Sequence, residues 1–84
     1  MSNTQQTTAI SPSWTDQRDR YIQTAVAQTE FATLEDGTVF ASIPSLQGVW
    51  ANEATRELCL AELPAVIVGW IMVRQQLHHP IPVL

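Results

Sequence analysis

Eight carboxylates, two histidines and one cysteine are the side chains of this sequence that could do chemistry. Two acidic pairs, Glu35 with Asp36 and Glu57 with Glu62, have the residue type that holds divalent metals in nucleases. The first pair is more simply a solvated hairpin tip. The members of the second pair lie five residues apart, so they do not share a helical face. We therefore expect no metal site and no general acid–base pair from these residues.

The cysteine and the histidines lead to the same expectation. A nucleophilic Cys59 would need a base and an oxyanion site, and the sequence shows neither near it. A buried thiol that packs as a small apolar group is the better interpretation. His78 and His79 are adjacent at a helix end, where neighbouring residues point in different directions, and we expect them to be exposed and to interact with the helix dipole. The sequence predicts no catalytic residue, no metal and no cofactor.

The charge of the chain limits its partners. The formal net charge is −4, with four arginines and no lysine. A protein that binds nucleic acid normally clusters Lys and Arg to displace counterions from phosphates, so we expect no direct nucleic-acid binding. An acidic surface favours a basic protein partner instead. The polar N-terminus has no signal-peptide pattern and the one thiol is unpaired, which favours the cytoplasm.

The size of the chain favours association with another subunit. The 84 residues suffice for one domain with a modest core. Domains of this size usually need a disulfide, a metal or a partner subunit. One cysteine excludes an internal disulfide, and no standard zinc spacing is present. We expect a homo-oligomer, either a dimer or a tetramer.

The N-terminal third contains a polar segment and then a helical pattern. Residues 1–13 are rich in Ser, Thr, Gln and Asn. Such a segment has too little apolar surface to offset the entropy lost on ordering, which predicts a disordered tail. The remainder, residues 14–84, is predicted to form a single domain. Its first element is a helix over residues 14–28, with Ser13 as the N-cap.

The middle of the chain has the composition of a small sheet. Residues 30–35 alternate in character, and residues 38–43 are rich in β-branched and aromatic side chains up to Pro44. Between them, Asp36-Gly37 is predicted to supply the positive φ angles of a tight hairpin turn. Residues 49–51 form a brief third strand. Followed by one long helix, this order predicts an α+β fold, with a small antiparallel sheet of three to four strands packed on one main helix.

The main helix is predicted over residues 53–77, with Asn52 or Thr55 as its N-cap. Its apolar run from Leu63 to Val73 is too short to cross a bilayer. A core helix covered by its own sheet on one side and by another subunit on the other explains the run better. The candidate oligomer interface comprises Val66, Trp70 and Val73.

Two features near the C-terminus have alternative interpretations. Pro64 inside the helix either kinks it near Leu60 or divides it into two segments, and we favour the kink. The proline-rich residues 80–84 are predicted to be extended and could lie along a sheet edge.

The ordered spacing of these residues resembles the HicB-like antitoxins of bacterial toxin–antitoxin pairs, over about residues 30–84. The positions that carry the resemblance are Asp36-Gly37, Phe40, Ile43-Pro44, Leu46, Gly48-Val49-Trp50-Ala51, Thr55-Arg56-Glu57-Leu58, Trp70-Ile71 and Pro80-Ile81-Pro82. The resemblance implies a partial ribonuclease-H-like fold and assembly into dimers or tetramers. It also implies that the chain masks a small, basic, RNA-cleaving toxin of the HicA type.

The chain departs from the HicB-like pattern in two ways. The sequence stops at Leu84, so we expect no separate DNA-binding module. The main helix is also more apolar than usual between Leu63 and Val73, and it contains Pro64.

The leading hypothesis is a non-catalytic, cytoplasmic protein-binding module, a HicB-like antitoxin that acts by steric blockade. Its candidate contacts are Glu35 and Asp36 at the hairpin tip, with Phe40 and Trp50 on the strands. The residue types of Phe40, Trp50 and Trp70 favour positions in the core, and an exposed Trp50 would instead indicate a partner-binding anchor. The alternative is an orphan structural oligomer without a toxin partner. A vestigial metal-dependent nuclease ranks last, because nuclease activity needs carboxylates that converge on a metal.

Overall fold

Two helices and a three-stranded antiparallel sheet make up residues 16–84, the part of the chain that this computed structural model describes. The elements are α1 (residues 16–27), β1 (Glu30–Thr33), β2 (Val39–Ser42), β3 (Trp50–Glu53) and α2 (Arg56–Gln76). The predicted α+β class is confirmed, with one main helix on the sheet and a second helix before it. The predicted tail at residues 1–13 and the first two residues of the predicted N-terminal helix lie outside the described residues.

The hairpin between β1 and β2 has a longer turn than the sequence suggested. The Leu34 N–H donates to the Thr38 carbonyl at 2.8 Å, which leaves three residues in the loop. Gly37 has a φ of 87°, and Asp36 does not adopt a positive φ. This is the pattern of a three-residue hairpin loop with glycine in the left-handed position. The prediction that both Asp36 and Gly37 supply positive φ angles is wrong for Asp36, whose carboxylate instead accepts hydrogen bonds from Thr38.

The strand register divides the sheet into two faces. Antiparallel partners that lie directly opposite each other share a face, and successive residues alternate between faces. β2 is the central strand, and its Ala41 pairs with Phe31 on one side and Ala51 on the other. We call the face with these residues the inner face. Its members are Phe31, Thr33, Val39, Ala41, Ala51 and Glu53.

α2 packs on the inner face through residues spaced four apart. Cys59, Leu63, Ile67 and Ile71 are all buried. The Thr55 side chain accepts a hydrogen bond from the Leu58 N–H, which makes it the N-cap, and helical spacing begins at Arg56 instead of residue 53. The alternative cap, Asn52, lies in β3.

The helix runs without interruption from Arg56 to Gln76 with Pro64 inside it. The alternative of two separate segments is therefore wrong, and the favoured kink near Leu60 stays a prediction. Packing of the buried residues on both sides of Pro64 against the sheet offsets the lost hydrogen bond, whose local cost is about 3 kcal/mol.

α2 ends in a Schellman motif that has histidine where glycine is usual. His78 has a φ of 58°. Its N–H donates to the Gln75 carbonyl at 3.2 Å, and the His79 N–H donates to the Arg74 carbonyl at 2.8 Å. These two bonds satisfy carbonyls that the helix end leaves free. Both histidines are exposed, as predicted.

The C-terminal residues 80–84 pack against the helices. The Tyr21 hydroxyl of α1 donates to the Pro82 carbonyl at 2.7 Å, and Arg74 Nη1 of α2 donates to the Pro80 carbonyl at 2.9 Å. Ile81 packs against the core. The expectation that this segment lies along a sheet edge is wrong, because its carbonyls find donors on the helices instead of a strand.

The core lies between α2, the inner face and α1. Its buried members are Ala25, Ala41, Ile43, Leu46, Val49, Ala51, Cys59, Leu63, Ile67 and Ile71. Among the described residues, no helix combines the length and apolar character needed to cross a membrane.

Candidate protein-binding surfaces

The side chains that could do chemistry are dispersed. Over residues 16–84, no group of three or more His, Cys, Asp or Glu side chains could hold a metal ion. Cys59 is buried, and its thiol lies 3.4 Å from the Val39 carbonyl and 3.9 Å from the Ala51 carbonyl. These contacts agree with its predicted role as a small packing group under the sheet.

The hairpin tip carries the first of the acidic pairs. Glu35 and Asp36 are both exposed. The Thr38 hydroxyl and N–H donate to Asp36 Oδ1 at 2.7 and 3.0 Å, and these bonds lower the pKa of Asp36. Asp36 therefore remains an anion at neutral pH while it stabilises the turn. The tip is a solvated acidic corner, as the sequence indicated.

The second acidic pair in the structure is not the pair of Glu57 and Glu62 that the sequence suggested. Glu62 pairs with Glu53, at the end of β3. The pKa of Glu53 is raised, first because its protonated form donates a hydrogen bond to the Glu62 carboxylate and then because the charge of that carboxylate disfavours a second anion. Sequence analysis missed this pair, because its members come close only when α2 folds back on the sheet. No local spacing signals it.

The face of the sheet opposite α2, which we call the outer face, is open. Its residues form two rows across the strands. One row is Glu30, Ser42 and Trp50, and the other is Ala32, Phe40 and Asn52. Glu30, Ala32, Trp50 and Asn52 are exposed, and Phe40 and Ser42 are half-buried. No described element covers this face.

Two of the four predicted partner-binding residues meet on the outer face. The rings of Phe40 and Trp50 lie diagonally across β2 and β3, with centroids 5.8 Å apart and planes at 23°. Trp50 remains 55% exposed. The Asn52 amide donates to Thr38 Oγ1 at 2.9 Å and so ties the outer face to the hairpin tip that carries Glu35 and Asp36. The aromatic pair and the acidic tip are therefore parts of one side of the molecule.

The three predicted oligomer residues lie along one flank of α2. They line a groove of about 370 Å³ that also includes Gly48, Gly69, Arg74, Leu77 and His79. Trp70 is half-buried, its indole N–H donates to the Gln47 carbonyl at 3.0 Å, and the Arg74 guanidinium lies 4.5 Å above its ring. Val66 is half-buried, whereas Val73 is 54% exposed. On this flank, the Trp70 side chain therefore has contacts within the chain, whereas the Val73 side chain remains exposed to solvent.

The fold and these surfaces define a small α+β domain with two open apolar surfaces and, over residues 16–84, no cluster suited to hold a metal. Its sequence matches the UPF0150-like family over residues 20–82. The chain therefore belongs to that family, which is related to the HicB antitoxins and is not a known enzyme family. None of the curated proteins matches the chain.

A solved structure gives independent support for the fold. The chain is similar to TTHA0281 from Thermus thermophilus, with 28% sequence identity and a TM-score of 0.68. The alignment covers 76% of this chain and 80% of that one.

Proposed function

We propose that this protein is a non-catalytic, cytoplasmic HicB-like antitoxin that masks a small, basic, RNA-cleaving toxin by steric blockade. One observation carries the proposal: the outer face presents a stacked Phe40–Trp50 pair to solvent. Large aromatic side chains that remain exposed on a surface are typical anchors of protein interfaces. The membership in a HicB-related family supports the same function.

The sheet makes blockade physically reasonable. The hydrogen-bonded strands hold the outer face rigid, so this surface loses little conformational entropy when a partner binds. Burial of the two rings supplies apolar contact area, and the acidic tip steers a basic partner toward it. A toxin held in this way loses access to RNA without any chemical step.

The test is inhibition of RNA cleavage by a partner purified from the native host. The full chain, tagged, is used to capture binding proteins, and any small basic protein is then produced alone and assayed on RNA. We expect cleavage by the partner to stop when this protein is added in stoichiometric amount. Captured partners that have no RNA-cleaving activity would contradict the antitoxin function.

A second candidate function, an orphan structural oligomer, is favoured by the apolar surface of α2. Val73, Met72 and Leu77 are each more than half exposed near its C-terminal end. Light scattering of the full chain decides whether copies associate, and Val73→Asp is the disrupting variant. An oligomer that Val73→Asp dissociates, in a host without an RNA-cleaving partner, would favour this function over the antitoxin.

A further inference from the structure

Two aromatic rings outside the stacked pair, those of Phe31 and Trp70, are already covered by arginines of this chain. The Arg56 guanidinium lies 4.9 Å from the centre of the Phe31 ring, and the Arg74 guanidinium lies 4.5 Å from that of Trp70. No described arginine or lysine lies over the Phe40–Trp50 pair. Among the described residues, arginine thus covers the rings of Phe31 and Trp70, and no cation lies over the stacked pair.

The outer face also carries a carboxylate without a cationic partner. Glu30 and Trp50 stand at the two ends of one row, with Ser42 between them. Two inter-strand spacings separate them by about 10 Å. Over residues 16–84, the Glu30 carboxylate forms no ion pair. The three strands contain no Lys or Arg at all.

The residues between these groups leave space for a long side chain. Ser42, between Glu30 and Trp50, and Ala32, beside Phe40, are small. A side chain that enters over them meets a carboxylate on one side and an aromatic surface on the other. A guanidinium suits this arrangement, because its plane stacks on a ring and its N–H groups pair with a carboxylate.

We propose that the outer face docks an arginine of a basic protein partner, with the guanidinium stacked on a free ring face of the Phe40–Trp50 pair and paired with Glu30. The inference rests on the proposed function and names the chemistry by which its partner is recognised. Charge complementarity selects this occupant. A second copy would bring Glu30 and the acidic tip against their own like charges, and nucleic-acid phosphates would meet the same carboxylates.

Arginine and lysine differ at such a site. The ammonium of lysine is compact and strongly hydrated, and it cannot stack flat on a ring while it forms two parallel hydrogen bonds. The site therefore discriminates between two partners of equal charge. Discrimination of this kind separates stacking from simple attraction to an acidic surface.

The experiment uses the full chain labelled with ¹⁵N and two short synthetic peptides of equal charge, one with arginine and one with lysine between glycines and serines. We expect the arginine peptide to shift the Trp50 indole N–H and the Phe40 and Ser42 amides in a saturable way. We expect the lysine peptide to bind roughly tenfold more weakly. Equal affinities, shifts elsewhere on the chain, or no shift with either peptide would overturn the proposal.

Three variants assign the effect. Trp50→Ala and Glu30→Gln should each weaken arginine-peptide binding at least about fivefold. Glu30→Gln removes a charge from an exposed position, so it remains informative if Trp50→Ala impairs folding. The control is Leu58→Ala, because Leu58 is 49% exposed, near the 55% of Trp50, and lies on α2 behind the inner face. It should leave binding unchanged.

The outcomes separate this inference from the proposed function. If a captured toxin is still inhibited by both Trp50→Ala and Glu30→Gln, the antitoxin function stands and the arginine site is wrong. If the arginine peptide binds as described but no RNA-cleaving partner exists, the site stands and the antitoxin function is wrong.

Discussion

The inner and outer faces of the sheet come from the same three strands but differ in the residues that β2 and β3 place on them. The inner face has the small residues Ala41 and Ala51 at its centre, 0% and 3% exposed. The outer face has Phe40 and Trp50. In a small domain, large aromatic side chains usually lie in the core and small ones are free to vary outside. At Ala41 and Ala51 this arrangement is reversed, whereas on β1 the aromatic Phe31 packs against the core.

The reversal has a physical basis on the inner side. Small residues let α2 approach the strands closely, as the 3.4 Å distance from the Cys59 thiol to the Val39 carbonyl shows. The apolar volume of the core is then supplied by the helix and the loops, mainly by Leu63, Ile67 and Ile43. The aromatic residues on the outer face are therefore not needed to fill the core. They are available for contact with another molecule. The inner face should therefore matter for stability and the outer face for binding.

The largest effect should come from the helix side of the inner face. Leu63→Ala removes a fully buried side chain and leaves a cavity between α2 and the sheet. We expect a loss of about 3 kcal/mol in the free energy of unfolding. Urea denaturation followed by circular dichroism measures it. A loss as small as that of Leu58→Ala, a half-exposed leucine of the same helix, would show that the core does not lie there.

The outer face should contribute much less to stability. Trp50→Ala removes a half-exposed ring and its stacking on Phe40, so we expect a loss of about 1 kcal/mol. The same denaturation experiment measures it, with Met72→Ala as the matched control. A loss equal to that of Leu63→Ala would mean that the outer face is structural and would remove the contrast between the faces.

The end of α2 lies outside both faces and provides a smaller effect of opposite sign. His78 has a left-handed backbone conformation, which is unfavourable for any residue with a Cβ atom. Glycine has no Cβ atom, so His78→Gly removes this cost. We expect the free energy of unfolding to rise by about 0.7 kcal/mol. His79→Gly is the control, because the positive φ lies at His78. A stabilisation by both variants alike would point to charge instead of backbone conformation.

The smallest effect should depend on pH. Glu62 raises the pKa of Glu53, so the folded chain takes up a proton at higher pH than the unfolded chain. The repulsion therefore lowers stability at neutral pH and disappears as the pH falls through the raised pKa. Glu53→Gln should raise the melting temperature at neutral pH and have little effect at about pH 3, which is more than one pH unit below the ordinary pKa of a Glu side chain.

A second variant separates this pair from the overall charge. Glu35→Gln changes the net charge by the same amount at the exposed hairpin tip. It should not reproduce the pH-dependent gain. If it does, the gain comes from the net charge of −4 and the Glu53–Glu62 pair is not its source.

The interior of the fold could be predicted further than its ends. Local patterns indicated the hairpin at Gly37, the strand that stops before Pro44 and the long apolar helix, because each depends on neighbours in the chain. The ends were less accurate. Thr55 and not Asn52 caps α2, and histidine replaces glycine at its C-terminus, because a full set of capping hydrogen bonds can offset an unfavourable φ.

The sequence singled out residues of the candidate site, but it did not predict how they are arranged in space. The spacing around Phe40 and Trp50 marked both as important, yet it could not distinguish a core aromatic from an exposed one. The role of Glu30 had no local signal at all. It becomes part of the site only because the register of β1 on β2 puts it in a row with Ser42 and Trp50.

The sequence by itself determined the composition of the domain: an acidic chain without lysine, a short β-rich stretch and one apolar helix. The side-chain repeats of a strand and of a helix follow from local backbone geometry, so the sequence alone indicates them. Only the tertiary structure decided which side of the sheet that helix covers. Because side chains alternate along a strand, that choice buried Ala41 and left Phe40 and Trp50 in contact with water.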